Sequence, residues 1–235
     1  MEAGAGGGTG RGDRARVRRP LAAAFALAAV VDLVCLAAGW DTGHTVAKPL
    51  LMPLLAAYAA SRGAPRLLIA ALLCGWGGDT LLLLDAEPAF FAGMGSFAAG
   101  HLCYLALFRS YDETRARSAF LAPAYGTVLV ATVALLWPDL PADLRVPVAG
   151  YSLLLTAMAY TAATRLGLLA GLGGALFVLS DSLIATGVAQ WPQPPRPDLW
   201  IMLTYMAAQS LLVTGVLGER RPRESAYGEV RSTTP

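Results

Sequence analysis

Charged residues are scarce in this chain. Only 14% of its 235 residues are Asp, Glu, Lys or Arg, whereas ordinary soluble domains carry about 25%. Hydrophobic residues make up 56% of the chain. A chain this apolar cannot bury all of its hydrophobic side chains in the core of one soluble domain. This excludes a soluble nucleotide-binding or barrel enzyme and a disordered regulator.

Cysteine is also rare, and the net charge is small. Cys35, Cys74 and Cys103 each lie in an apolar stretch, at spacings that fit neither a disulfide framework nor a metal site. We expect them to be small buried side chains. The Gly-rich N-terminus lacks the Gly-Lys-Ser/Thr ending of a phosphate loop. A formal net charge of +2 gives no reason to expect nucleic acid as a partner.

The chain has instead a series of long apolar stretches. Each is close to the ~20 residues that cross ~30 Å of hydrocarbon. The eight stretches cover residues 20–39, 46–61, 66–84, 89–108, 119–137, 144–162, 166–188 and 199–217. We therefore predict an all-α integral membrane protein with eight transmembrane helices in one bundle. Residues 1–19 are predicted to be a disordered basic tail, 20–217 the transmembrane domain, and 218–235 a flexible cytoplasmic tail.

Arginine orients these spans. If the loops between the spans lie on alternate faces of the membrane, one face receives fifteen basic residues. The other face receives only Arg145 and Arg196. Because Lys and Arg gather on the cytoplasmic side of short loops, both termini are predicted to be cytoplasmic. The preference for Arg over Lys suggests a GC-rich bacterial genome. The predicted location is therefore the cell membrane, as a multi-pass protein of a bacterial inner membrane.

Four ionisable residues fall inside the predicted spans, where a charge costs at least ~2.5–3.5 kcal/mol. They are Asp32, Lys48, Asp79 and Asp181. The span directions put all four at or beyond the midplane, towards the non-cytoplasmic face, with His101 slightly deeper. We expect Lys48, Asp79, Asp181 and His101 to converge on one cavity.

Each of these residues also has a purely structural interpretation. Asp32 suits a polar contact between helices equally well, and Lys48 either pairs with an aspartate or extends to the interface. Asp79 and Asp181 follow glycine-rich segments, which thin a helix so that another helix or a ligand can approach. This favours a functional role for both aspartates. His101 alone fits a helix contact as well as a site.

Several of these segments resemble the YhhN-like family of multi-pass membrane proteins. The resemblance lies in Lys48 to Pro53, in Gly78-Asp79, in residues 90–104 with Gly100-His101 and Tyr104, and in residues 174–181 ending in Ser180-Asp181. It extends over residues 20–217. Characterised members are lysoplasmalogenases. The resemblance therefore implies eight spans and hydrolysis of the vinyl-ether bond of a lysoplasmalogen to a fatty aldehyde and a glycerophospho-alcohol.

Vinyl-ether hydrolysis suits a pair of carboxyl groups. Protonation of the β-carbon leaves an oxocarbenium ion, to which water adds before the hemiacetal collapses. Two aspartates in a dry pocket can divide into a neutral acid and a charged partner. We expect Asp79 and Asp181 to form this pair, in an order that the sequence leaves open. His101 would assist proton transfer, and Lys48 would bind the phosphate or hold an aspartate ionised.

Ser96, Tyr104 and Ser180 complete the expected substrate-binding set. No metal or cofactor is expected, and the expected partners are a lysophospholipid substrate and the membrane lipids. Two other classes remain open: a proton- or ion-coupled carrier of small molecules or lipids, and a non-catalytic lipid-binding or scaffold protein. Spans broken by Gly or Pro at matching positions in both halves of the chain would favour a carrier. Pro49 and Pro53 have no clear counterpart in the sixth span.

Overall fold

Helices make up the regular structure of the part of the chain that is described. A computed structural model describes residues 9–113 and 115–232, with side chains described over 17–113 and 118–219. Within those ranges there are eight helices and no strand. The helices are α1 (Thr9–Ala38), α2 (Asp41–Ser61), α3 (Arg66–Leu81), α4 (Glu87–Phe108), α5 (Arg115–Leu136), α6 (Ala142–Arg165), α7 (Gly167–Val188) and α8 (Pro197–Ser232). The all-α prediction is confirmed.

Six of these helices are long and apolar enough to cross a membrane, namely α1 and α4 to α8. The other two depart from that pattern for different reasons. α3 has 16 residues, which at ~1.5 Å per residue falls short of a ~30 Å hydrocarbon layer. α2 has 21 residues but carries Asp41, His44 and Lys48 in its first half. The chain is thus a multi-pass membrane protein with one short and one polar helix in its bundle.

Two helices extend beyond the predicted transmembrane domain. α1 begins at Thr9, and α8 continues to Ser232. Arg, Ala and Glu are good helix formers, so a helix that is fixed by its apolar section can continue into these flanking segments. Residues 1–8 and 233–235 of the predicted tails lie outside the described residues. The domain boundaries at residues 20 and 217 stay a prediction.

The surface of the bundle is apolar, as expected for a protein surrounded by lipid. Phe120, Val146 and Leu168 are 79%, 72% and 76% exposed. The main buried core is built from α2, α3, α4, α6, α7 and α8. α5 contributes only its C-terminal Leu136 to a second, smaller cluster. Because α5 lies at the edge of the bundle, the space beside it is less tightly filled.

Glycine permits close helix contacts beside both aspartate-bearing segments. A Cβ at Gly78 of α3 would collide with the Phe97 ring of α4. A Cβ at Gly174 of α7 would lie 2.7 Å from the Cα of Ala159 in α6. A larger residue at Gly174 would require the backbone of α6 to shift, and one at Gly78 would require the Phe97 ring to move.

The three cysteines are free thiols. Cys35 is buried, whereas Cys74 and Cys103 are half-buried. The expectation of three buried side chains therefore holds for Cys35 alone. The other two lie on faces of α3 and α4 that the bundle covers only in part, a distinction that the apolar sequence around them does not reveal.

Candidate functional site

Asp79 is enclosed where α3 meets α2 and α8. Its side chain is 4% exposed, and Lys48 Nζ from α2 lies 4.0 Å from its Oδ1. The Tyr205 hydroxyl of α8 also interacts with this carboxyl. That contact falls short of a fully aligned hydrogen bond, since Asp79 Oδ2 has no such partner among the described residues. Asp79 is therefore a buried carboxyl beside a cation.

A buried chain of hydrogen bonds supports Tyr205 from behind. Gln209 Nε2 donates to Tyr205 Oη at 3.4 Å, and Tyr104 Oη donates to Gln209 Oε1 at 2.6 Å. Gly75 makes room for this arrangement, because a Cβ there would lie 2.8 Å from the Tyr205 hydroxyl. Tyr205 accepts from Gln209, so its own O–H is available to Asp79.

Asp181 lies on the wall of a cavity between α4, α5, α6 and α7. The cavity is partly open to the surroundings of the bundle. Most of its wall is apolar, and Asp181 is the one residue of the Asp, Glu, Lys or Arg type among the described side chains that line it. The Tyr151 hydroxyl donates a hydrogen bond to Asp181 Oδ2. On its other side, Tyr151 Oη lies 3.1 Å from His101 Nε2.

The two aspartates are close enough for their charges to act on each other, although Asp79 does not line the cavity. A further polar pair adjoins Asp79: His44 Nδ1 lies 2.8 Å from Asp32 Oδ1, and both residues interact electrostatically with Asp79. The structure thus brings Asp32 and Lys48 around Asp79, and Asp79 near Asp181. Only Asp181 of these opens onto the cavity.

None of the four predicted substrate-binding residues lines the cavity. Lys48 lies beside Asp79, and the other three carry hydroxyl groups with partners elsewhere. Ser96 Oγ donates to Cys74 O at 2.7 Å, and Ser180 Oγ donates to Ile201 O at 3.1 Å. The Tyr104 hydroxyl is used in the buried chain described above. All three hydroxyls therefore have protein partners that join neighbouring helices, and their role in substrate binding stays a prediction.

Four polar residues of this region are missing from the sequence-based set: His44, Tyr151, Tyr205 and Gln209. His44 is one helical turn from Lys48 on α2, so its spacing could have drawn attention to it. The tyrosines and the glutamine carry no such signal, because their importance depends on which helices pack together. No group of His, Cys, Asp and Glu in the described ranges is arranged to hold a metal ion.

Comparisons with known proteins identify the family of this chain. Residues 43–216 match the sequence model of the YhhN family. Lysoplasmalogenase TMEM86B of Homo sapiens is 36% identical over 163 residues, which are 69% of this chain and 69% of that protein. A lysoplasmalogenase of Mycobacterium tuberculosis is 30% identical over 201 residues, 79% of this chain and 76% of that protein. No solved structure matches the chain. Because the family model spans most of its length, the chain belongs to the YhhN family.

Proposed function

We propose that this protein is a membrane-embedded hydrolase that cleaves the vinyl-ether bond of a lysoplasmalogen-type lysolipid. The products would be a fatty aldehyde and a glycerophospho-alcohol. The observation that carries the proposal is the Asp181 carboxyl on the wall of an apolar cavity, with the Asp79 carboxyl nearby. Similarity to lysoplasmalogenases over most of the chain supports an enzyme of this kind.

The surroundings of the two aspartates favour different roles. Asp79 has Lys48 Nζ 4.0 Å away, and a nearby opposite charge favours the charged form of a carboxyl. Asp181 has no ion pair among the described residues and opens onto the cavity where a substrate would lie. In this proposal Asp181 is the acid and Asp79 is the anion.

The reaction then proceeds with one water consumed. The Asp181 proton moves to the β-carbon of the vinyl ether, whose π electrons form the new C–H bond, and leaves an oxocarbenium ion in the cavity. The Asp79 charge stabilises this ion from behind the cavity wall. Water adds to the cationic carbon and returns a proton to Asp181. The hemiacetal C–O bond then breaks, its hydroxyl proton passes to the departing alcohol oxygen, and the aldehyde is released.

The same arrangement provides for the rest of the lysolipid. The apolar cavity wall, including Phe90, Met94 and Leu129, suits a single hydrocarbon chain. The Lys48 side chain is 12% exposed, and it lies beside Asp79 outside the cavity wall. We assign it both a charge partner in Asp79 and the phosphate of the substrate. Ser96, Tyr104 and Ser180 are left out of this set, because their hydroxyls donate to protein acceptors.

The proposed topology is eight spans with both termini in the cytoplasm of a bacterial cell, in its inner membrane. A reporter fused after Arg117 or Arg223 should be cytoplasmic, as the arginine distribution requires. Those fusions do not distinguish eight spans from six, because loss of the α2–α3 pair leaves every later loop on the same side. A reporter after Ala64, between α2 and α3, should also be cytoplasmic. An external signal after Ala64 would mean that neither α2 nor α3 crosses the membrane.

The test of the function is aldehyde release by the purified protein in detergent. A 1-alkenyl lysophospholipid should yield one aldehyde per molecule hydrolysed. The matched control is the 1-alkyl ether of the same chain length and head group, which lacks the double bond and cannot be protonated to an oxocarbenium ion. If folded protein releases no aldehyde from the alkenyl lipid, the proposal is wrong. The carrier and scaffold interpretations would then remain.

A further inference from the structure

Tyr151 connects His101 to Asp181 across three helices. Its hydroxyl, on α6, donates to Asp181 Oδ2 of α7 and lies 3.1 Å from His101 Nε2 of α4. Tyr151 also lines the cavity beside Asp181. His101 itself is 1% exposed, and it reaches the cavity only through Tyr151.

The direction of these hydrogen bonds follows from the number of protons available. A tyrosine hydroxyl has one hydrogen, and here it is used for Asp181. In this direction the Tyr151 oxygen accepts from His101, which places the His101 proton on Nε2. His101 Nδ1 is buried with no partner among the described residues. An unpartnered acceptor at Nδ1 costs less than a buried unpartnered N–H would, which favours the same tautomer.

The His101 ring is held in place by aromatic neighbours. The Phe177 ring packs edge-on against it at a centroid distance of 4.8 Å, and the Tyr151 ring lies at 5.4 Å. These contacts fix the ring while Nε2 points at the Tyr151 hydroxyl. The arrangement suits a rigid donor better than a group that rotates between proton donor and acceptor.

We propose that Tyr151 and His101 are positioning residues for Asp181, an inference that rests on the function proposed above. His101 orients the Tyr151 hydroxyl, and Tyr151 holds Oδ2 of Asp181 as an acceptor. The acid proton is thereby assigned to Oδ1, where it is available to the substrate. His101 carries no proton in the reaction, in contrast to the role expected from the sequence. After transfer, the Tyr151 hydrogen bond remains and stabilises the carboxylate.

Activity measurements separate this arrangement from a merely structural one. Tyr151→Phe should lower kcat about 10- to 100-fold, the effect of a lost hydrogen bond to a charged group, with KM changed less than about 3-fold. Tyr160→Phe is the matched control on α6, because its hydroxyl contacts Ser118 outside the cavity. Its kcat should equal that of the wild type. Equal activity in Tyr151→Phe and Tyr160→Phe would overturn the proposal.

His101 variants distinguish a hydrogen-bond donor from a proton carrier. His101→Gln can donate from its amide nitrogen but cannot exchange a proton, and should keep kcat within about 5-fold of the wild type. His101→Phe removes the donor and should approach Tyr151→Phe. The double variant with Tyr151→Phe should be no worse than Tyr151→Phe alone, because His101 acts through Tyr151. Equal loss in His101→Gln and His101→Phe would contradict a positioning role.

A spectroscopic measurement tests the inference without turnover. The chain has two histidines, so ¹⁵N-histidine NMR of the protein in detergent gives two imidazole patterns, and His44→Gln assigns them. We expect the His101 proton on Nε2, and a changed tautomer distribution in Tyr151→Phe. A proton on Nδ1 in the wild type would overturn the inference even if aldehyde is released. Absence of aldehyde release together with the Nε2 tautomer would remove only the proposed function.

Discussion

Asp79 and Asp181 both lie on helices that contain several glycines, but the two carboxyls have different surroundings. Each lies on a helix that uses glycine to approach a neighbour, and each interacts with a tyrosine hydroxyl. Asp79 is closed in by α2 and α8 and lies beside Lys48. Asp181 is reached from a cavity beside the peripheral helix α5.

This difference shows which properties each level of structure controls. The glycines set how closely a helix can approach, and they do so alike for both aspartates. The charge state and the access of each carboxyl depend on what the adjoining helices contribute. The same residue type in the same local design can therefore serve as an enclosed anion or as an accessible acid.

The largest expected effect separates the two carboxyls by activity and stability together. Asp181→Asn should lower kcat by about 10²- to 10⁴-fold, the range for a lost general acid, with Tm nearly unchanged because no cation loses its partner. Asp79→Asn should also lower kcat by at least about 10²-fold but should lower Tm, since it leaves Lys48 unpaired. The pair should be far from additive in log kcat.

Aldehyde release and thermal unfolding in detergent measure both effects for the same preparations. Near-normal turnover in Asp181→Asn would remove this residue as the acid. An equal fall of Tm in the two asparagine variants would remove the contrast between an enclosed and an accessible carboxyl.

The next effect concerns the ion pair of Asp79. Lys48→Met should destabilise the protein by about 3–5 kcal/mol, because it leaves a buried carboxylate without its cation. The double variant Lys48→Met with Asp79→Asn should recover part of that stability, since neither charge remains. Unfolding midpoints in detergent give the comparison. A double variant less stable than Lys48→Met alone would mean that the two residues stabilise the fold independently.

The sequence predicted much of the fold for a clear physical reason. Each apolar stretch became one helix, because the bilayer requires long apolar runs and satisfied backbone groups. The sequence did not reveal that α3 ends at Leu81. The apolar run continues to Leu84 without a break, so the local sequence contains no signal for that end.

The site was predictable to a more limited extent. The insertion cost of charge identified Asp32, Lys48, Asp79 and Asp181, which the structure brings into one region. The sequence could not identify Tyr151, because a tyrosine costs little in a membrane helix and its partners lie on α4 and α7. It also could not say which aspartate faces a cavity, since cavities arise from how helices pack and not from any one of them.

A smaller effect compares glycine contacts on the two helices that carry the aspartates. Gly174→Ala should destabilise by about 3 kcal/mol and Gly78→Ala by about 1–2 kcal/mol, the usual range for overpacking. The order follows from what each new methyl meets: the Ala159 backbone cannot yield, whereas the Phe97 ring is a side chain. Gly95→Ala on α4 is the control, because no atom lies within 4 Å of its Cβ position. An equal loss of stability in all three would remove the packing explanation.

The smallest expected effect tests whether the cavity beside Asp181 holds the hydrocarbon chain. Leu129 of α5 lines that cavity, whereas Leu135 of the same helix is 61% exposed on the outer surface. Leu129→Ala removes apolar contact worth roughly 1 kcal/mol, so KM for the alkenyl lysolipid should rise about 5-fold with kcat unchanged. Leu135→Ala makes the same change of volume on the outer surface, away from the cavity, and should leave both constants as they are. If KM rises equally in both variants, the chain does not lie in this cavity. There would then be no reason to place Asp181 nearer than Asp79 to the vinyl-ether bond. The difference between the two carboxyls would rest on the Lys48 ion pair alone.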